Sequence, residues 1–456
     1  MCGIVALSNG DVAQKLYYGL YSLQHRGQDS CGMVTYDAAN KRFRMKKGQG
    51  IVPNVFSEQA LENLFGAAGV GHVRYPTIGS DFSRDAQPFI YDNSIAMAHN
   101  GNIANYAEMV KAVKQKPNSM CDVEVILNAL GEAMEKHKDV YQSVEEVMNR
   151  LNGSYSVAAL VKDEGLVIFR DPHAIRPLIL SKAGAASESI ALDIMGELVF
   201  DDVKPGECVI INDGKMSRKT LVDKGPRHCM FEWVYFSRPD STIEKRSVYD
   251  VRVKLGEELA KNWTKKIDVV VPVPDTARPA AQGFAHAIGV DHREGLIKNR
   301  YVGRTFIMPK QGLREAAVRV KLNPIIQELM GKSVALIDDS IVRGTTGRKL
   351  VKLVRDAGAK EVHLVVSCPP ILWPCFYGID MTKKAELIAA KFKKEEIEQE
   401  VAKSLGADSV TYLSIEGLRR AIGVKGLCTA CLDGDYATDV SKLLEKQGAE
   451  RPYEVD

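Results

Sequence analysis

Val334–Leu350 reads VALIDDSIVRGTTGRKL. Its first four residues are apolar and form a short buried strand, and the chain then sets two carboxylates, Asp338 and Asp339, at the strand's C-terminal end. In an open α/β sheet that end is where ligands bind. Paired acids there can accept from the vicinal hydroxyls of a ribose, or organise Mg²⁺ through water. Ser340, Arg343, Gly344, Thr345 and Thr346 follow and lead into a helix. Backbone N–H groups and Thr hydroxyls converging at a helix N-terminus cradle an anion and suit a 5′-phosphate. The spacing and the Gly-Lys-Ser/Thr of a P-loop are absent.

Working outward, strand and helix alternate from about Val248 onward. The helical SVYDVRVKLGEELAKNW is followed by the strand IDVVVPVP, the helical TARPAAQGFAHAIG and, after VALIDDS, a helix and the strand EVHLVVSCPP. That order predicts a parallel sheet with covering helices. A second anion cradle is expected where Pro274, Asp275, Thr276 and Ala277 turn into a helix. Between Lys298 and Lys321 the chain holds seven Lys or Arg against one Glu. Such a run can be a solvated or RNA-binding segment, but beside two cradles a basic lid over a pyrophosphate explains it better. The run KKAELIAAKFKKEEIEQEVAKSLG after Thr382 is expected to be a solvated surface helix. Before residue 225 the style differs: short strands such as SIAMAHNG and ECVIIND alternate with helices over Asp11–Gln24 and Asp122–His137, a layered α/β or α+β arrangement.

With 456 residues, two domains are expected, with a boundary near 225–245. A net charge of +3 is too small to argue for nucleic acid, and no run of 18 apolar residues argues for a membrane span. No signal peptide is read at the start, so a cytoplasmic location is expected. Nine cysteines without a sign of export argue against disulfides. Cys31, Cys121, Cys208 and Cys368 read as core thiols; Cys229, Cys375, Cys428 and Cys431 could hold structural Zn²⁺ or an iron–sulfur cluster.

The start, MCGIVALSNG, places a thiol at position 2. Removal of Met1 would give Cys2 a free α-amine, with a reference pKa of about 7.7–8.0, beside a thiol near 8.5. Such a nucleophile carries its own base. Arg74, in GHVRYPTIG, is a fork for a substrate carboxylate. Asn100 and Gly101, in AHNGNI, offer a side-chain amide and an unencumbered N–H, as an oxyanion hole requires. Asp122 can receive an ammonium or simply cap its helix.

CGIVAL, LQHRGQDS, GHVRYPT, HNGNI, NGSYSVA and RDPHAIRPL, in that order, resemble the glutaminase half of class II glutamine amidotransferases. The resemblance implies an N-terminal nucleophile hydrolase αββα sandwich over 2–230. It makes Cys2 the nucleophile, Asn100 and Gly101 the oxyanion donors, and Arg26, Arg74 and Asp122 the glutamine-binding residues. The acidic pair with SIVRGTTG is similar to the signature of type I phosphoribosyltransferases, implying a parallel-sheet domain over 231–456. Together with IKNRYVGRTFI and PCFYGID, the two halves resemble the amidophosphoribosyltransferase family over nearly the full length. That family makes 5-phosphoribosylamine from phosphoribosylpyrophosphate with ammonia taken from glutamine. The resemblance places Mg²⁺ at Thr276, Asp338 and Asp339, and the substrate at Lys298, Lys321, Asp338, Asp339, Ser340 and Arg343–Thr346. HCMFEWVYFSRPDS, PCFYGID and CTACLDGDY resemble the ligand segments of the Bacillus-type branch, implying a [4Fe–4S] cluster on Cys229, Cys375, Cys428 and Cys431. A homotetramer and feedback by purine nucleotides are further expectations of the family.

Overall fold

The strand Gly3–Ser8 is buried at every position but the last, which a strand needs if both its faces are covered. Its alternation sorts two cores. Ile4 and Ala6 pack with Val70, Ala96, Ala98 and Ala158 between two sheets, whereas Val5 and Leu7 pack with Leu16 and Leu20 of the helix Ala13–Ser22. The computed structural model of the chain describes residues 2–8, 10–75, 84–299 and 322–445. In it Gly3–Ser8 lies inside a seven-stranded sheet, between Gly184–Ala186 and Ala68–Arg74. The facing sheet has six strands, with Ile95–Ile103 paired to Gly153–Val161. Its other side is covered by the helices Asp122–His137 and Val140–Arg150, against Met97, Tyr155, Val157 and Ala159. Helix, sheet, sheet, helix is the expected sandwich.

In the second half Val269–Pro272, Ser333–Asp338, Glu361–Val366 and Ser409–Tyr412 form a sheet in that order, parallel throughout. The helices Val248–Ala260 and Arg278–Ile288 meet at close range because glycines stand at the crossing. A Cβ on Gly256 would lie 1.9 Å from the Ala280 carbonyl oxygen, and one on Gly283 2.1 Å from that of Val253. Met230, Phe231, Trp233 and Val234 already belong to this half's core. Near the other end, Val440 and Leu443 pack on Ala104 and Phe376. No helix among the described residues is long and apolar enough to cross a membrane.

One expectation fails. The charged run after Thr382 is not one surface helix: three short 3₁₀ turns between Lys384 and Glu396 precede a helix over only Ile397–Leu405. Leu387, Ile388 and Ala389 are buried as a consecutive triplet, which no one-sided helix can satisfy. The Ile388 N–H donates to the Val342 carbonyl at 2.9 Å, so this segment is fastened to the loop after Asp338 instead of lying in solvent.

Candidate active sites

The first strand delivers Cys2 to the end of the sandwich, half-buried. Its N–H lies 3.4 Å from Asn100 Oδ1, its Sγ 3.7 Å from the Tyr75 carbonyl, and its own carbonyl accepts from Arg26 Nε at 3.0 Å. Asn100 is buried, and its Nδ2 has no hydrogen-bond partner among the described residues. A buried amide donor without a partner is costly unless a ligand supplies the acceptor. Along the same strand the His99 N–H donates to Gln87 Oε1 (2.8 Å) and the Ile103 N–H to Asp122 Oδ2 (3.2 Å). N–H groups two residues apart share a strand edge, so the Gly101 N–H lies between these two on that edge. Only glycine fits there: φ is +157° and a Cβ would stand 2.0 Å from the Ser154 carbonyl oxygen.

Asp122 opens its helix without capping it, which removes the simpler of its two readings. Burial raises its pKa, but His99, the Ile103 N–H and Arg74 outweigh burial and hold it below the usual carboxylate range. His99 Nε2 stands 3.4 Å from it, long for a formed hydrogen bond. Arg74 is buried, with Nη2 3.4 Å from Asp85 Oδ2. Pro76 and Thr77 of the GHVRYPT motif lie outside the described residues.

Arg26 is fully buried and spends its donors on protein groups. Besides the Cys2 carbonyl it bonds Glu188 at 2.5 Å and Glu232 at 2.8 and 2.9 Å. Glu232 sits on a single π-turn, Glu232–Phe236, and also meets Arg176 Nη1 at 3.3 Å. Arg176 in turn donates from Nε to the Tyr377 carbonyl at 2.8 Å. Sequence reasoning missed Glu188 and Glu232; the available signal was an acid inside an apolar string, MFEWVYF, which demands a buried cation.

At the second site, strand Ser333–Asp338 ends in the acidic pair. The Asp339 N–H donates to Asp338 Oδ1 (2.9 Å) and Ser340 Oγ to Asp339 Oδ1 (2.7 Å). Burial raises both carboxyls, Asp338 the more because Asp339 repels it. A cation placed between them would reverse that. Gly344, at φ +76°, turns the chain into the helix Thr345–Asp356, leaving Thr345 and Thr346 exposed at its N-terminus. Arg343 pairs with Glu386 at 2.6 Å, and a Cβ on Gly344 would meet Ile388 at 2.6 Å, so the misread charged run forms one wall. Lys298 comes to the other cradle, its Nζ 2.8 Å from Asp275 Oδ2, next to Thr276. It ends the strand Leu296–Lys298, paired antiparallel with Leu322–Pro324. Lys321 and the basic stretch 300–320 lie outside the described residues.

Cys229 and Cys428 are register partners on a short parallel pair, His228–Cys229 with Leu427–Cys428. The Leu372 and Trp373 N–H groups donate to the Cys431 carbonyl at 2.9 and 3.0 Å, bringing the segment before Cys375 alongside. The Tyr377 N–H points at Cys375 Sγ (3.4 Å). Burial pushes the Cys431 thiol well up, and no three His, Cys, Asp or Glu among the described residues converge closely enough to hold a single metal ion.

Residues 72–193 match a glutamine amidotransferase domain model and residues 243–395 a phosphoribosyl transferase domain model. An amidophosphoribosyltransferase of Methanothermobacter thermautotrophicus is 46% identical, covering 99% of this chain and 97% of that protein. That of Bacillus subtilis is 40% identical over 96% of this chain and 94% of its own. The solved glutamine phosphoribosylpyrophosphate amidotransferase of B. subtilis, complexed with ADP and GMP, superposes with a TM-score of 0.89 at 37% identity, covering 99% of this chain and 100% of that one. A structure described as the allosteric regulatory enzyme of purine biosynthesis gives 0.90 at 38% identity, covering 99% and 98%. With that likeness over both halves, the chain belongs to the amidophosphoribosyltransferase family, whose reaction is the first step of purine biosynthesis.

Proposed function

We propose that residues 2–230 hydrolyse glutamine at Cys2 and that residues 231–456 use the ammonia to displace pyrophosphate from phosphoribosylpyrophosphate. Once Met1 is removed, the α-amine of Cys2, at the nitrogen now facing Asn100 Oδ1, takes the thiol proton as sulfur attacks the glutamine amide carbon. The resulting oxyanion receives hydrogen bonds from Asn100 Nδ2 and the Gly101 N–H. The C–N bond then breaks, ammonia leaves with the returned proton, and water opens the thioester to glutamate. Arg74 holds the substrate's carboxylate and Asp122 its ammonium, while Arg26 fixes the Cys2 carbonyl from beneath. The observation that carries this half is the buried Asn100 Nδ2 beside Cys2, without a partner among the described residues.

In the second half Gly344, Thr345 and Thr346, with Arg343 and Ser340, receive the 5′-phosphate, and Asp338 and Asp339 the ribose hydroxyls. Lys298 and Lys321 are the residues assigned to the diphosphate. Mg²⁺, held by Asp338, Asp339 and Thr276, would neutralise the leaving group. The chain's own work is positioning and exclusion of water, which competes with ammonia at ribose C1. Cys229, Cys375, Cys428 and Cys431, which lie in or against one core and of which Cys229 and Cys428 are register partners, would hold a [4Fe–4S] cluster, in a structural role since the reaction transfers no electrons. We assign the chain to the cytoplasm as a homotetramer that purine nucleotides inhibit, in keeping with the ADP and GMP of the B. subtilis complex.

The test compares glutamine and ammonia as nitrogen donors. Cys2→Ala should abolish glutamine use and leave ammonia-dependent pyrophosphate release intact. Loss of both in a folded variant refutes the division of labour.

A further inference from the structure

The oxyanion strand is held from behind by the other half of the chain. The segment Phe376–Gly378 touches it at successive residues. Asn102 Nδ2 donates to the Phe376 carbonyl at 2.9 Å, and Ser154 Oγ to the Tyr377 carbonyl at 2.9 Å. Arg176 Nε donates to the same Tyr377 carbonyl at 2.8 Å. Asn102 and Ser154 are register partners, and the neighbouring pair is Gly101 with Tyr155. Gly378 then lies flat on Gly101: a Cβ on it would stand 3.0 Å from the Gly101 carbonyl oxygen and 3.2 Å from its carbonyl carbon. Its φ of +96° is one that side chains rarely adopt.

Asn102, Ser154, Arg176 and the three loop residues are buried, and Gly101 is half-buried. From this geometry we infer that Phe376–Gly378 is a clamp that fixes the Gly101 backbone at its carbonyl and so holds the adjoining N–H in its catalytic orientation, with Gly378 and Ser154 as positioning residues for glutamine hydrolysis. The inference rests on Gly101 being an oxyanion donor. It gives the phosphoribosyl half a direct hold on the first reaction, through a backbone it supplies and the first half lacks. A donor aimed at charge that exists only in the transition state affects kcat and leaves ground-state binding alone. Removing one such donor costs about 10²–10³ in rate, so misaiming it by a few tenths of an ångström should cost about tenfold or more.

Gly378→Ala and the milder Ser154→Ala are to be compared with Asn100→Ala in the full-length protein. Glutamine kcat should fall about tenfold or more in Gly378→Ala and severalfold in Ser154→Ala, with KM for glutamine and ammonia-dependent pyrophosphate release unchanged. The aldehyde analogue of glutamine, whose adduct with Cys2 carries the oxyanion, should lose affinity by the same factor as kcat. Glutamate, which forms no adduct, should bind as before. Iron and sulfide per chain should match the parent, since the same loop carries Cys375. If Asn100→Ala leaves glutamine kcat intact, the oxyanion assignment falls and the clamp with it. If Asn100→Ala is slow while both other variants keep parental kcat, the clamp alone is refuted. A parallel loss of glutamine and ammonia activities in Ser154→Ala also refutes it, because the effect would then be general unfolding.

Discussion

Replacing Glu232 by Gln tests whether the buried charge network is needed to seat the nucleophile. Arg26, Arg176, Glu188 and Glu232 are each no more than 1% exposed, so two cations balance two anions away from water. Glu232 accepts from Arg26 at 2.8 and 2.9 Å, from Ser237 Oγ at 2.9 Å and from Arg176 at 3.3 Å. Gln preserves the shape but removes one charge, leaving an uncompensated buried cation and turning one acceptor into a donor aimed at an arginine. Breaking a buried pair from one side costs about 3–5 kcal/mol; the retained carbonyl places Gln at the lower end, about 3 kcal/mol. Urea unfolding followed by tryptophan emission reports it, because Trp233 is the next residue and is itself buried. Glutamine kcat should fall with it, since Arg26 holds the Cys2 carbonyl, while ammonia-dependent activity persists below the unfolding midpoint. In a cycle with Arg176→Met, the two changes together should cost less than their sum, because the second removes the cation the first stranded. A midpoint shift worth less than about 0.5 kcal/mol, the size of an ordinary surface change, would refute the reasoning.

Two further outcomes are expected. Burial, with the neighbouring Glu244, pushes the Asp202 carboxyl up to about 6. Between about pH 4 and 6 the folded chain keeps a proton that the unfolded chain releases, so stability falls as pH rises and the penalty is complete above about 6. Asp202→Asn should therefore stabilise by about 1–2 kcal/mol at pH 7.5, allowing for partial solvent access, and by nothing near pH 4. Equal effects at both pH values in thermal unfolding would contradict this. Asp339→Asn should lower pyrophosphate release about 10²-fold or more with either nitrogen donor. Hydrolysis of glutamine by this variant without phosphoribosylpyrophosphate should match that of the parent, as glutamate assays can check; preserved synthesis would exclude Asp339 from the site.

Much of the second half was legible because its elements are locally encoded. An apolar strand, two acids and a glycine-led helix start sit in consecutive residues, and the structure keeps them in that order from Val334 to Leu350. The helix over Asp122–His137 was read to the residue. The run after Thr382 was misread because its charge pattern is helical, whereas burial of Leu387–Ala389 against the loop after Asp338 overrides local preference.

The sequence by itself determined which chemical groups are present and which strand or turn carries each: Cys2 at the head of a strand, Asn100 with Gly101, and the acids before the Thr-rich helix start. Tertiary structure alone decided what surrounds them. Glu232 closing a circuit between Arg26, 206 positions before it, and Arg176, 56 before it, and Gly378 lying on Gly101 from the opposite half, join residues far apart in the chain. Neither has a periodicity or spacing to announce it. A buried charge and a missing side chain acquire meaning only from the atoms that pack on them, and chain folding, not chain order, brings those atoms together.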